Sequence, residues 1–180
     1  MRNVGLENIE EAKDYENLTA GGYVCVITSV EDMDEKEYLK IEFDIAEGEH
    51  KGYYKKLNEA IDFWAGNFIR SYKDVALPFF KKFIKTVERC NDGFKFNYDE
   101  AKLKNKLIGL VLSEEEYENS YGDIKTKLVV TDMRSLDDIR NGNFKTHPKK
   151  LLNQNKTNYN AEMSKEYSGL EPIDDDDLPF

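Results

Sequence analysis

The chain contains few of the residues that form disulfides and zinc sites. It has two cysteines and two histidines among 180 residues. Cys25 lies in an apolar, strand-like run and Cys90 at a predicted helix end, and both are distant in sequence from His50 and His147. This spacing favours buried or incidental thiols over a disulfide or a zinc site. We therefore expect no metal and no cofactor.

Long apolar runs are also absent. No run approaches the roughly 20 residues that span a bilayer, and residues 1–11 lack the apolar core of a signal peptide. We therefore expect a cytoplasmic protein with no membrane partner. The apolar content of 39%, with 11 tyrosines and 10 phenylalanines, is sufficient for a folded core. The length suits one domain with an appendage.

Charge is distributed unevenly along the chain. The formal net charge of −10 argues against a uniformly basic nucleic-acid-binding protein. However, residues 121–160 hold 8 bases and 4 acids, whereas residues 161–180 hold 7 acids and 1 base. The sequence therefore predicts a basic region followed by a separate acidic end.

Five segments have the composition or the alternation of β-strands. The second alternates most regularly, with Leu39, Ile41 and Phe43 on one face and polar side chains on the other. We predict an acidic turn at residues 114–122, which joins the last two segments into a hairpin. The predicted strands are residues 23–30, 38–46, 53–57, 106–113 and 124–133.

Helical signals occur in two places. Residues 78–89 have apolar side chains at the spacing of one helix face, and Ser135 is positioned as the N-cap of a short helix. Residues 58–75 have no reliable period and are open between helix and aromatic loop. The order of three strands, a helical segment and two strands predicts a mainly β OB-fold, a five-stranded Greek-key barrel with α insertions, over residues 1–150.

The chain ends in a block of like charge. Residues 172–180 read P-I-D-D-D-D-L-P-F, and a block of this kind stays solvated and disordered. This ending resembles the C-terminal tip of bacterial single-stranded DNA-binding proteins (SSBs), with Leu178 where that family usually has Ile. The alternative is a solubilising acidic tail with an incidental Phe180. Residues 151–180 are thus predicted to be a flexible linker and a protein-interaction tail.

The resemblance implies a function in DNA replication, recombination and repair. In the family, the tip docks on proteins of these pathways, with the final Phe in an apolar pocket and the carboxylates on basic residues. The body is similar in pattern to SSB-like proteins of phage and prophage cassettes, which implies a bacterial host cell. A longer body and a short linker depart from the bacterial pattern, so a homo-oligomer is left open. The matching positions are Asp174, Asp175, Asp176, Asp177, Leu178, Pro179 and Phe180.

Binding of single-stranded DNA needs bases that contact phosphates and aromatic rings on which nucleobases stack. On an OB-fold these residues belong on strands two and three and on the loops that join strands one to two and four to five. Trp64 and Phe68 fit the core as well as this surface. Five further bases would either prolong a basic track or be plain surface charge: Arg134, Arg140, Lys145, Lys149 and Lys150. The predicted DNA-binding residues are Tyr38, Lys40, Tyr53, Tyr54, Lys55, Lys56, Trp64, Phe68, Arg70, Tyr72, Tyr117, Tyr121, Lys125 and Lys127.

Three hypotheses follow from the sequence. The first is a non-enzymatic protein that coats single-stranded DNA and recruits partners through its tip. The second is an acidic OB-fold adaptor or DNA-mimic inhibitor that binds a protein partner without binding DNA. The third, a metal-dependent nuclease, is disfavoured because the tail aspartates lie on a segment that cannot fix a metal geometry and because no Gly-rich phosphate loop is present.

Overall fold

The computed structural model describes residues 17–152. The predicted acidic tail, and the linker from residue 153 onward, lie outside the described residues. None of the helices between residues 17 and 152 is long and apolar enough to cross a membrane. The elements are β1 (Gly21–Met33), β2 (Tyr38–Ile45), α1 (Tyr53–Ile61), β3 (Asn67–Ser71), α2 (Leu77–Cys90), β4 (Leu107–Glu118), β5 (Ile124–Arg134) and α3 (Leu136–Arg140).

The protein is mainly β, as predicted, and its five strands form one antiparallel sheet in the order β3-β2-β1-β4-β5. β4 pairs with only the first half of β1, from Gly21 opposite Leu112 to Val26 opposite Leu107. It then extends beyond β1 and pairs with β5 as far as Glu118. Because the turn between β1 and β2 lies at the other end of β1, the β1–β2 and β4–β5 hairpins project from opposite ends of the sheet.

One face of the sheet holds the main core. The predicted alternation of β2 is confirmed, since Leu39, Ile41, Phe43 and Ile45 are all buried. The helix predicted at residues 78–89 is confirmed as α2, which buries Phe83, Ile84 and Val87 against this face. A helix with such an apolar stripe is stabilised by packing more than by its own propensity.

The opposite face is covered near the start of β1. There Val24, Val111 and Ile139 form a smaller buried cluster beneath α3 and Phe144. Gly22 is required by this packing, because a Cβ at that position would lie 2.5 Å from the Phe144 ring. The remainder of this face, on β2 and β3, carries the partly exposed side chains of these strands.

The strand predicted at residues 53–57 is wrong, because these residues begin helix α1. Asp44, which is 6% exposed, accepts hydrogen bonds from the backbone amides of Tyr54 (2.9 Å) and Lys55 (3.3 Å). A buried carboxylate thus satisfies amides that a helix start leaves without intrahelical partners. Gly52, with φ of +74°, makes the left-handed turn into the helix.

The third strand lies instead within the segment left open, as β3. It pairs antiparallel with β2, from Tyr38 opposite Ser71 to Glu42 opposite Asn67. The turn predicted at residues 114–122 is shorter than expected, because β4 continues through the acids to Glu118. Asn119 closes the actual turn by accepting hydrogen bonds from the amides of Tyr121 (3.0 Å) and Asp123 (2.8 Å).

Candidate nucleic-acid interface

The predicted DNA-binding residues occupy three separate regions of the fold. Tyr38 and Lys40 lie on the outer face of β2, with Lys40 directly opposite Glu31 of β1 and Ile69 of β3. The turn that follows β1 is acidic, and a 3-10 helix occupies it at Asp34–Lys36. Because carboxylates repel phosphate, this end of the sheet disfavours an anion, since Lys36 and Lys40 stand among several carboxylates.

The second region, around α1 and β3, includes rings that belong to the core. Tyr54 is 4% exposed and packs edge-on against Phe43, with ring centroids 5.2 Å apart. Phe68 is 8% exposed and is covered by the Arg70 guanidinium, 4.9 Å from its ring centroid. Tyr54 and Phe68 are thus packed in the core and present no open ring face to a base in this conformation, which speaks against the DNA-binding prediction for both. Packing in the core is sufficient to explain why aromatic residues occupy these two positions.

Three other residues of this region are partly or wholly accessible. Tyr53 is partly buried against the core cluster and contacts His50, whereas Lys55 and Lys56 are exposed on α1. They stand on a helix rather than on the third strand, so the sequence-based reason for placing them beside Tyr38 no longer applies.

Trp64 and Arg70 are fixed by polar contacts at the edge of the core. The Trp64 indole Nε1–H donates to the carbonyl of Gly66 (3.1 Å), and the ring packs against the core cluster. Arg70 Nη1 donates to the carbonyl of Ile69 (2.9 Å), and Nη2 lies 3.6 Å from Met133 Sδ. These contacts make both side chains structural in the described conformation.

Tyr72 faces carboxylates. Its hydroxyl donates to Asp32 Oδ1 at 2.8 Å, and its ring packs on Phe80 of α2 with centroids 5.9 Å apart. Desolvation and the hydrogen bond to Asp32 raise the pKa of Tyr72 well above its usual range. A phosphate would meet Asp32 and Asp34 here, which disfavours DNA at this ring.

The third region, the β4–β5 hairpin, brings its predicted residues together in the open. Lys125 lies directly opposite Tyr117, and Lys127 Nζ is 5.5 Å from the Tyr117 ring centroid. Tyr121 is 89% exposed at the turn, and Ile124, which sequence reasoning did not select, is also exposed beside it. Two rings and two lysines thus share one projecting hairpin.

Residues 147–152, the C-terminal strap, lie along β4 and change the charge of this hairpin. Lys150 bridges Glu115 in parallel, because its amide donates to the carbonyl of Glu114 and its carbonyl accepts from Glu116, both at 2.9 Å. Lys150 also forms an ion pair with the Glu115 carboxylate, and Lys149 Nζ lies 2.9 Å from Glu116 Oε1. The hydrogen bond from Lys149 lowers the pKa of Glu116. The strap therefore offsets two acids of β4.

The other bases considered for a basic track are also largely engaged in ion pairs. Arg134 Nη2 lies 2.6 Å from Asp132 Oδ2, and Arg140 Nη2 lies 2.6 Å from Glu47 Oε1. Together with the strap lysines, four of these five bases have carboxylate partners. The arrangement corresponds to paired surface charge, which contributes little to stability.

Metal-ligating and thiol groups form no site in the part of the chain that the structure describes. No group of three His, Cys, Asp or Glu residues there is placed to hold a metal ion. Cys25 and Cys90 are free, and burial raises the pKa of the Cys25 thiol well above its usual value. A thiol of this kind is inert rather than nucleophilic.

A scan against protein-family models finds no match for this chain. A search of the curated proteins finds no match either. The features that bear on function are therefore the β4–β5 hairpin, the arrangement of the strands and the sequence of the C-terminal end.

Proposed function

We propose that the protein binds single-stranded DNA without enzymatic activity, through the β4–β5 hairpin, and recruits replication, recombination or repair proteins through its C-terminal tip. The observation that supports DNA binding is an exposed group of two rings and two lysines on one hairpin: Tyr117, Tyr121, Lys125 and Lys127. Rings of this kind accept bases of any sequence, at about 1 to 3 kcal/mol per stacked base. The lysines supply the phosphate contacts.

The strand arrangement supports an OB-type barrel as the scaffold. Three consecutive antiparallel strands, with a fourth that returns beside the first, follow the Greek-key order, and α2 stands between the third and fourth strands. The two edge strands also approach each other, since Arg70 of β3 reaches Met133 of β5. In an OB-fold the loop between strands four and five is part of the ligand surface, which is where the exposed hairpin lies.

The proposed recruitment of partner proteins is supported by sequence alone, because Asp174 to Phe180 lie outside the described residues. The described chain nevertheless leads toward the hairpin, since the strap runs parallel to β4 and the Leu152 amide donates to Glu116 Oε2 (3.4 Å). An acidic segment tethered there would compete with DNA for Lys125 and Lys127 at a high effective concentration.

Titration of oligo-dT into the full chain and into a chain without residues 171–180 tests the proposal. The full chain should bind at low salt, with an affinity that falls as salt rises, and should bind duplex DNA weakly. The shortened chain should bind oligo-dT more tightly and lose its protein partners. Absence of oligo-dT binding by both chains at low salt would refute the DNA-binding function.

A second candidate is an acidic adaptor or DNA-mimic inhibitor that binds a protein and no DNA. The observation that favours it is the acidic β1–β2 turn, where Asp34, Glu35 and Glu37 follow Glu31 and Asp32. Such a cluster is complementary to a basic protein surface. A partner retained by the full chain, combined with no binding of oligo-dT, would select this candidate over the first.

A further inference from the structure

The connection between α2 and β4, residues 94–106, presents one tyrosine almost entirely to solvent. Tyr98 is 95% exposed, and its ring lies 6.1 Å from that of Phe96, which is buried against Phe80. Single exposed apolar side chains are common, so exposure alone does not identify a site.

The backbone at this position supplies a second observation. Asn97 and Tyr98 both have positive φ angles, +48° and +57°. Asn tolerates this left-handed region, but an aromatic residue is strained in it, and residues strained in this way cluster at binding and catalytic sites. Burial of the ring does not offset this backbone strain, because the Tyr98 side chain is in solvent.

The segment that contains this ring is positive on balance, in a chain that is acidic overall. Residues 94–106 contain Lys95, Lys102, Lys104 and Lys106 against Asp99 and Glu100. Lys106 Nζ lies 4.8 Å from the Phe94 ring centroid, and Lys104 is exposed.

Two of these lysines already have carboxylate partners. Lys102 pairs with Asp99 at 3.0 Å, and Lys95 lies 3.7 Å from Glu88. The Lys102–Asp99 pair is exposed on both sides, and such a pair is weak enough to exchange its carboxylate for a phosphate.

A row of rings places Tyr98 away from the acidic end of the sheet. Tyr72, Phe80, Phe96 and Tyr98 follow one another with centroids 5.9, 6.2 and 6.1 Å apart. Asp32 binds the Tyr72 end of this row, whereas the Tyr98 end belongs to a segment, residues 94–106, that holds four lysines and two acids. An anionic ligand is therefore favoured at Tyr98 and disfavoured at Tyr72.

We propose that Tyr98, with Lys104 and Lys106, is a second contact for single-stranded DNA, in which one base stacks on Tyr98 and the flanking phosphates meet the lysines. This inference rests on the proposed function, with the β4–β5 hairpin as the first contact. Lys106 precedes β4 and Tyr117 lies near its other end, roughly 30 Å away along an extended strand. A strand bound at both places would follow the length of β4.

The deciding variant is Tyr98→Gly, which removes the ring and the backbone strain together. Binding of an oligo-dT of about 16 nucleotides, the upper site size of an OB-fold, should weaken by about fivefold or more. The melting temperature should not fall, because Gly adopts the left-handed conformation freely. Tyr98→Trp should bind like the natural chain, since Trp retains a stacking face.

Matched variants separate this inference from the hairpin function. Phe63→Ala, which removes another exposed ring outside both places, should bind normally. Equal binding by Tyr98→Gly and the natural chain, with weaker binding by Tyr117→Ala, would overturn the Tyr98 contact and leave the hairpin. A Tyr98→Trp variant as weak as Tyr98→Gly would also overturn it. Absence of binding by the natural chain would overturn both.

Discussion

The two hairpins project from opposite ends of the sheet and expose different side chains. The β1–β2 hairpin turns through Asp34, Glu35 and Glu37, and Tyr72, which lies beside this turn, is bound to Asp32. The β4–β5 hairpin exposes Tyr117 and Tyr121, with lysines on the returning strand.

Acids are present on both hairpins, but their surroundings differ. On β4, the strap lysines pair with Glu115 and Glu116, whereas the β1–β2 turn has Lys36 within an acidic run. Local charge balance, more than the number of aromatic residues, therefore separates a surface suited to DNA from one suited to a basic protein.

Reversing the charge of the lysines on the β4–β5 hairpin should have the largest effect. Lys125→Glu with Lys127→Glu makes this hairpin resemble the other one, so oligo-dT affinity at low salt should fall by more than about tenfold. Fluorescence anisotropy measures the change. Lys55→Glu with Lys56→Glu applies the same charge change on α1 and should weaken binding far less. Equal losses from both pairs would mean that net charge, and not the hairpin, governs affinity.

Removal of one aromatic ring should also reduce oligo-dT affinity more on the β4–β5 hairpin than on the β1–β2 hairpin, but by less than charge reversal does. Tyr121→Ala should weaken oligo-dT binding by about fivefold, within the range for one stacked base. Tyr38→Ala should change oligo-dT affinity by less than about twofold. Tyr38 lies next to the acidic β1–β2 turn, whose carboxylates repel phosphate. Isothermal titration of both variants checks the difference, and a reversed order would move the site to β2.

Much of this arrangement was predictable where local pattern and tertiary packing agree. The alternation of β2, the apolar stripe of α2 and the Ser135 cap, whose Oγ accepts from the Asp138 amide at 3.1 Å, are all signalled within a few residues. Lys125 and Lys127 lie on the returning strand that was predicted, β5, whereas Tyr117 was predicted in the turn and lies on β4.

The errors have causes distant in sequence. Asp44 stabilises the start of α1 from ten residues away, so a β-like Y-Y-K-K-L segment becomes helical. A helical signal was nevertheless present, because Tyr53, Leu57 and Ile61 are spaced four residues apart, as on one face of a helix. Glu114 to Glu118 resembled a turn, but the strap lysines make a strand of acids tolerable. Tyr98 was missed because no local pattern reports a left-handed backbone.

Neutralising acids on the β1–β2 hairpin should produce a small gain. Glu31→Gln with Glu35→Gln removes repulsion near Lys40, which lies directly opposite Glu31, so oligo-dT affinity should rise by about twofold at low salt. Because the Debye length shortens to about 3 Å at 1 M salt, the gain should disappear there. A gain that persists at high salt would indicate a new direct contact instead of reduced repulsion.

Strap attachment should produce the smallest and most local effect. Lys149 and the Leu152 amide hold the pKa of Glu116 below its ordinary value of 4.5. A lowered pKa in the folded state means that this contact stabilises the strap above pH 4.5 and is lost as pH falls through the folded pKa. Lys149→Gln should raise the Glu116 pKa toward 4.5, as measured by NMR titration of its carboxyl carbon, whereas Lys145→Gln should leave it unchanged. If the pKa does not move in Lys149→Gln, the strap is not what balances the charge of β4, and the contrast between the two hairpins must have another origin.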